Sequence, residues 1–209
     1  GIILYGFRLT FQDVTAVGVP AILVDAIIVV TTICLGVGLG KLLRMDRGIA
    51  LLASVGSAIC GAAAILGAES TIKTKPYKTA VAVATVVIFG TLSMFVYPLA
   101  YRSGLLDLTP GQMGIFTGST VHEVAHVVGA GNAMGKVVSD SAIIVKMIRV
   151  MMLVPVLFAI GYLVVRAAAK GGNGATERAK VSVPWFAVMF LVVIGFNSFN
   201  LLPAGLVDF

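Results

Sequence analysis

Charge is scarce in this chain of 209 residues: Asp, Glu, Lys and Arg together make up 11% of it. A soluble domain carries about 25%. Such a chain cannot clothe a water-facing surface in charge, which argues against a soluble enzyme or a nucleic-acid-binding domain despite a formal net charge of +6. Cysteine is scarcer still. Cys34 and Cys60, the only two, lie inside apolar runs and suggest neither a disulfide framework nor a zinc site. What is abundant is apolar: 59% of the residues, with 24 glycines among the remainder. That composition excludes a disordered chain.

The apolar residues fall in long uncharged stretches: Thr79–Tyr101, Val181–Val207 and Gly48–Ala68, of 23, 27 and 21 residues. A bilayer core of about 30 Å needs roughly 20 apolar residues per helix. The expected fold class is an all-α integral membrane protein, a multi-span helical bundle forming a single transmembrane domain over residues 1–209. Spans are expected over Pro20–Leu43, Lys78–Tyr101 (ending at Pro98), Ser141–Val165 and Val183–Leu202, with residues 1–12 closing an earlier helix and Gly171–Ser182 a polar connector. The chain opens at Gly1 in an apolar run, with no basic n-region or cleavage site. The expectation is an internal piece of a longer transporter.

Two Gly-rich segments, Ile49–Ala68 and Pro110–Gly135, differ from the ordinary spans. Small residues such as Gly56, Gly61 and Gly67 suit close backbone packing rather than lipid exposure. The segments also match each other: Gly56–Ala68 aligns on Gly118–Ala130 at a constant offset of 62, and the same offset lays Thr79-Ala80 over Ser141-Ala142. Residues 49–101 and 111–166 are therefore candidate repeat units.

Their orientation follows from charge, since Lys and Arg accumulate in cytoplasmic loops. If each Gly-rich segment enters and returns on one side, ten basic residues from Lys41 to Lys180 share a face and only Arg102 and Lys136 oppose them. If both cross fully, the split worsens to eight against four. The rule favours two re-entrant helices in an inverted repeat, an architecture frequent among secondary transporters. Fully crossing broken helices are the alternative.

Ser57 and the Ser119-Thr120 pair follow glycines and precede helix-forming stretches, so they read as N-caps, and Thr120 with Glu123 has capping-box spacing. Each would begin a half-helix whose free N–H groups attract an anion. Ordinary helix starts in a tight turn are the plainer alternative. His122, Glu123 and His126 are ionisable groups at membrane depth, hence functional candidates. They either exchange a proton or fix the hairpin by hydrogen bonds. Lys146 and Arg149 share a helix face and either pair with Glu123 or bind an anionic substrate. Gly61 and Cys60 occupy the first Gly-rich segment beside Ser57. Asn197 and Asn200 share a face of the last span and either complete a polar cavity or bond neighbouring helices.

His122-Glu123-Val124-Ala125-His126 also reads H-E-x-x-H, which on one helix presents two imidazoles to zinc with Glu as general base. An intramembrane zinc metalloprotease with His122 and His126 as ligands is thus a competing reading. Asn200-Leu201-Leu202-Pro203 followed by Asp208 partly matches the Asn-Pro…Asp element of such enzymes. Against it, Phe209 rather than Gly follows the acid, and the repeat partner of His122 is Cys60. A channel or a non-transporting membrane scaffold is the third class.

The stretches Gly56–Ala64, Val81–Thr91, Gly118–Ala125 and Lys146–Leu153, with Gly1–Thr10 and Phe196–Pro203, resemble the YeiH-like bacterial inner-membrane proteins, a family associated with sulfate export. The likeness spans nearly the whole chain. In that family the second His position also accepts Gln, which weakens the zinc reading. The resemblance implies a multi-pass transporter of the bacterial inner membrane, without enzymatic activity or cofactor. Its substrate would be a small anion, sulfate or an organosulfonate, with a proton or Na+ as coupling ion, the lipid bilayer as surroundings, no nucleic-acid partner, and an oligomer left open. On this reading Ser57, Cys60, Gly61, Ser119, Thr120, His122, Glu123, Lys146, Arg149, Asn197 and Asn200 form the substrate-binding set.

Overall fold

The computed structural model describes residues 19–72, 74–170 and 185–198. Among the described residues every regular element is a helix: α1 (Val19–Leu42), α2 (Arg47–Ala58), α3 (Ala62–Ile72), α4 (Pro76–Arg102), α5 (Pro110–Thr120), α6 (Val124–Met134), α7 (Lys136–Met151), α8 (Leu153–Lys170) and α9 (Trp185–Ser198). The all-α expectation holds for them. Three described stretches are long and apolar enough to cross a bilayer: Asp25–Leu42, Pro76–Arg102 and Lys136–Leu163. Large apolar side chains such as Ile27, Val30, Ile88, Phe89, Phe95 and Tyr162 stand exposed along them. That exposure suits lipid as the solvent, where an outward Leu costs nothing.

Both Gly-rich segments are interrupted. The first breaks at residues 59–61, between α2 and α3, and the second at residues 121–123, between α5 and α6. The two breaks stand at the same place in the aligned segments, 62 residues apart. Three of the four half-helices, α2, α5 and α6, pack more on a neighbour than on their own continuation: α5 lies chiefly along α7, and α2 along α1 and α4. Buried Leu52, Val55, Ile59, Ile65, Val86, Met147, Leu153 and Leu157 form the main core, where α2, α3, α4, α7 and α8 meet.

A close seam joins α5 to α7. A Cβ on Gly114 would stand 2.5 Å from Ser141 Cβ and 2.8 Å from the Val138 carbonyl oxygen, and one on Gly118 would meet the Ala142 carbonyl. This is small-residue packing at four-residue spacing, which lets helix backbones approach in lipid. Gly118→Ala must push backbone against backbone and should cost about 1–3 kcal/mol. Gly111→Ala, with open space around it, serves as the control. Thermal melts of the two variants in one detergent read the difference.

The starts of α2 and α5 are capped by residues that the sequence reading passed over. Asp46 caps α2: its Oδ1 accepts from the Gly48 and Ile49 amides at 2.9 and 3.2 Å, while Oδ2 accepts from Lys78 Nζ at 2.8 Å. Thr109 and Gln112 form a reciprocal capping box on α5. The Lys78 hydrogen bond, helped by the two amides, holds the Asp46 carboxyl below its ordinary 3.8. A lowered folded-state pKa contributes stability above the unfolded value, and this is lost as pH falls through the folded one. Melting temperature should therefore drop below about pH 3.8. Lys78→Met should flatten that part of the acid limb, and a limb identical to wild type in Lys78→Met would remove the ion pair as its cause.

Several boundaries differ from expectation. Helix α4 does not end at Pro98 but continues to Arg102. The missing amide of Pro98 costs only one bond to the preceding turn, and proline is tolerated in membrane helices. The span expected over Ser141–Val165 starts earlier, at Lys136, and is interrupted at Met152, where α7 gives way to α8. Residues 1–12, the connector Gly171–Ser182 and Asn200 lie outside the described residues.

Candidate functional site

Interrupting a helix frees carbonyls that nothing in a bilayer can solvate, each at a cost of several kcal/mol. Ile59 and Val121 are the residues that close α2 and α5, and their amides still bond back to Val55 and Thr117. Their own carbonyls are taken by a single side chain. Lys146 Nζ donates to Ile59 O at 2.8 Å and to Val121 O at 2.7 Å. The lysine is wholly buried. Its two acceptors stand at the same place in the two aligned segments, 62 residues apart. One ammonium thus joins the two breaks.

Arg149 stands one turn further along α7, also buried. Its Nε and Nη2 donate to Asp25 Oδ1 at 2.9 and 2.6 Å, and its Nη1 donates to the Ser119 carbonyl at the end of α5. Asp25 comes from α1 and is buried too. Lys146 and Arg149 do share an inward face, as their spacing requires. Among the described residues, however, neither pairs with Glu123. The backbone ends and Asp25 take their place. Asp25 is the functional candidate that sequence reasoning missed, although a lone acid in an apolar span was signal enough.

The carboxylate of Glu123 turns the other way. From the second break it reaches the first, where Oε1 accepts from the Ala62 amide that opens α3, at 3.4 Å. Gly61 makes room for it. Its φ of +70° lies in the left-handed region, and a Cβ there would stand 2.5 Å from Glu123 Cγ. Glu123 Oε2 lies 3.9 Å from His126 Nδ1, and His126 Nε2 lies 3.3 Å from the Thr91 hydroxyl on α4. Gly90 leaves space for that imidazole: a Cβ there would be 2.5 Å from Nδ1. The carbonyl ends of α2 and α5 thus face cations, while the amide end of α3 faces an acid, each matching its helix dipole.

Ser57, Ser119 and Thr120 are not N-caps. They stand in the last turns of α2 and α5, and α3 and α6 begin at Ala62 and Val124. The Ser119 and Thr120 hydroxyls donate back to Phe116 O at 3.0 and 2.6 Å, a bond open to Ser and Thr inside a helix. The N-cap of α6 is Glu123, whose side chain bonds none of that helix's own amides, so the capping box with Thr120 does not form. His122 lies in the second break, half-buried, at the position that aligns with the buried Cys60 of the first. Because α6 starts after His122, His122 and His126 are not carried on one helix turn as H-E-x-x-H zinc binding needs. Among the described residues no group of three His, Cys, Asp or Glu side chains is placed to hold a metal. Asn197 is buried on α9, which touches α7 and α8.

The whole chain, residues 1–209, matches the family profile described as conserved hypothetical protein 698. The chain belongs to this family. It is 71% identical over 207 residues to a UPF0324 membrane protein of Bacteroides thetaiotaomicron, covering 99% of this chain and 62% of that one. It is 47% identical over 213 residues to one of Photorhabdus laumondii, covering 100% and 59%. Against one of Haemophilus influenzae it is 46% identical over 210 residues, covering 99% and 61%. The chain spans about three fifths of the length of these curated relatives. No solved structure matches it significantly. The family members are membrane proteins by name, in accord with the apolar helices of the fold.

Proposed function

We propose that the protein is a secondary transporter of a small anion, sulfate or an organosulfonate, in the bacterial inner membrane. The observation that carries this reading is the Lys146 ammonium held between Ile59 O and Val121 O. Transporters build their sites from discontinuous helices whose ends meet at the repeat interface, and here two interrupted helices meet on one side chain. Residues 49–101 and 111–166 act as the two repeat units, inverted with respect to each other, and alternating access moves one against the other.

In this mechanism the anion enters beside α6. The first amides of a helix lack intrahelical acceptors, and Glu123 leaves those of α6 uncapped. His122 flanks them, with Cys60, Ser57, Ser119 and Thr120 in the neighbouring turns. Lys146 and Arg149, already engaged by carbonyls and Asp25, supply positive potential rather than direct ligands. Glu123 carries the coupling proton, handed on through His126.

Counterflow of labelled sulfate and small organosulfonates in proteoliposomes tests the proposal. Wild type should exchange at least one of them. Glu123→Gln should abolish the exchange while the protein remains monodisperse and folded. Undiminished exchange in Glu123→Gln would remove that carboxylate from the mechanism, and stepwise single-channel currents would replace the transporter reading with a channel.

A further inference from the structure

The ammonium of Lys146 occupies a position with the makings of an inorganic cation site. Two peptide carbonyls converge on it at 2.8 and 2.7 Å, from the carbonyl ends of two interrupted helices. Unwound carbonyls and the carbonyl ends of half-helices are what coordinate Na+ in ion-coupled transporters, and rings of carbonyls replace the hydration shell of K+ in its channels. An ammonium nitrogen and a bare potassium ion keep nearly the same distance from a carbonyl oxygen. We infer that Lys146 is a tethered cation filling a monovalent-cation site that the two helix breaks create.

Charge balance supports the assignment. The charged groups within electrostatic reach of Lys146 are Asp25, Glu123 and Arg149. With Lys146 the set holds two acids and two bases, all buried except the partly exposed Glu123. Without it, one negative charge and two carbonyls are left uncompensated, which is the demand a free Na+, K+ or methylammonium ion meets. Because the site is already filled, wild type needs no alkali cation there. On the transport reading above, coupling then falls to a proton rather than to Na+. The cation site itself does not depend on that reading.

The experiment compares purified wild type with Lys146→Ala in matched chloride salts of Na+, K+, methylammonium and the bulky cation N-methylglucamine. Lys146→Ala should melt lower than wild type in N-methylglucamine and recover on the order of 5–10 °C in at least one small cation at about a hundredfold excess over its Kd. Wild type should melt alike in all four. A folded Lys146→Ala indifferent to the cation overturns the inference, as does a wild type that itself requires Na+. If Lys146→Ala survives purification only when a small cation is present throughout, the inference stands; if no cation recovers it, the inference falls. None of these outcomes depends on flux, so a null counterflow result would overturn the transport reading alone.

Discussion

Asp25→Ala lowers the stability of the folded protein by about 3–5 kcal/mol, the cost of leaving one member of a buried ion pair without its partner. Arg149 is buried, and both its Nε and Nη2 spend their protons on Asp25 Oδ1. With the acid gone, the guanidinium keeps only the Ser119 carbonyl. Asp25→Asn retains an oxygen acceptor and loses the charge, so it should fall between wild type and alanine. The double variant Asp25→Ala with Arg149→Leu removes the stranded charge and should regain much of the loss. A residual deficit of about 1–3 kcal/mol remains, because the Ser119 carbonyl is then unsatisfied. Equilibrium unfolding in mixed micelles measures all three, together with Arg149→Leu alone to complete the cycle. A double variant as unstable as the sum of its single variants would show that the two side chains act independently.

Gly61→Ala carries the second large effect, and it separates into two parts. The backbone part is the cost of an L-residue at φ +70°, about 1–2 kcal/mol. The steric part comes from Glu123, whose Cγ would lie 2.5 Å from the new Cβ. Displacing Glu123 also breaks its bond to the Ala62 amide, so the amide end of α3 loses its acid. Gly104 isolates the first part: its φ is +74° and nothing lies within 4 Å of a Cβ placed there. Gly104→Ala should cost about 1–2 kcal/mol and leave function untouched. Gly61→Ala should cost about 1–3 kcal/mol more, as overpacking does, and should eliminate counterflow. Equal destabilisation by the two substitutions would mean that Glu123 is not held against Gly61.

The sequence made the spans and the breaks legible, and for different reasons. A long uncharged run has few alternatives to a helix in lipid, so α1 stands nearly at its expected limits, and α4 departs chiefly by running past Pro98. The breaks were visible as a Gly-rich match at constant offset, since close packing and left-handed backbone both select glycine. What went astray was polarity at the break. Ser57, Ser119 and Thr120 look like helix starts by type, yet a hydroxyl can bond the preceding turn equally well, and here it closes a helix rather than opening one. The true ends are fixed by partners distant in the chain: Lys146 lies 87 residues from Ile59 and Arg149 lies 124 from Asp25. No local pattern encodes such pairs. The caps at Asp46 and at Thr109 with Gln112 are local and could have been read from spacing alone.

The junction of the two breaks on Lys146 is the claim on which the rest depends. Dipolar-recoupling solid-state NMR on protein in lipid, with 15N in lysine side chains and 13C in the carbonyls of Ile59 and Val121, tests it directly. The Lys146 ζ nitrogen should show dipolar contact with both carbonyl carbons at hydrogen-bonding distance, and Lys146→Arg should abolish the signal. Contact with one carbonyl alone, or with neither, would contradict the account.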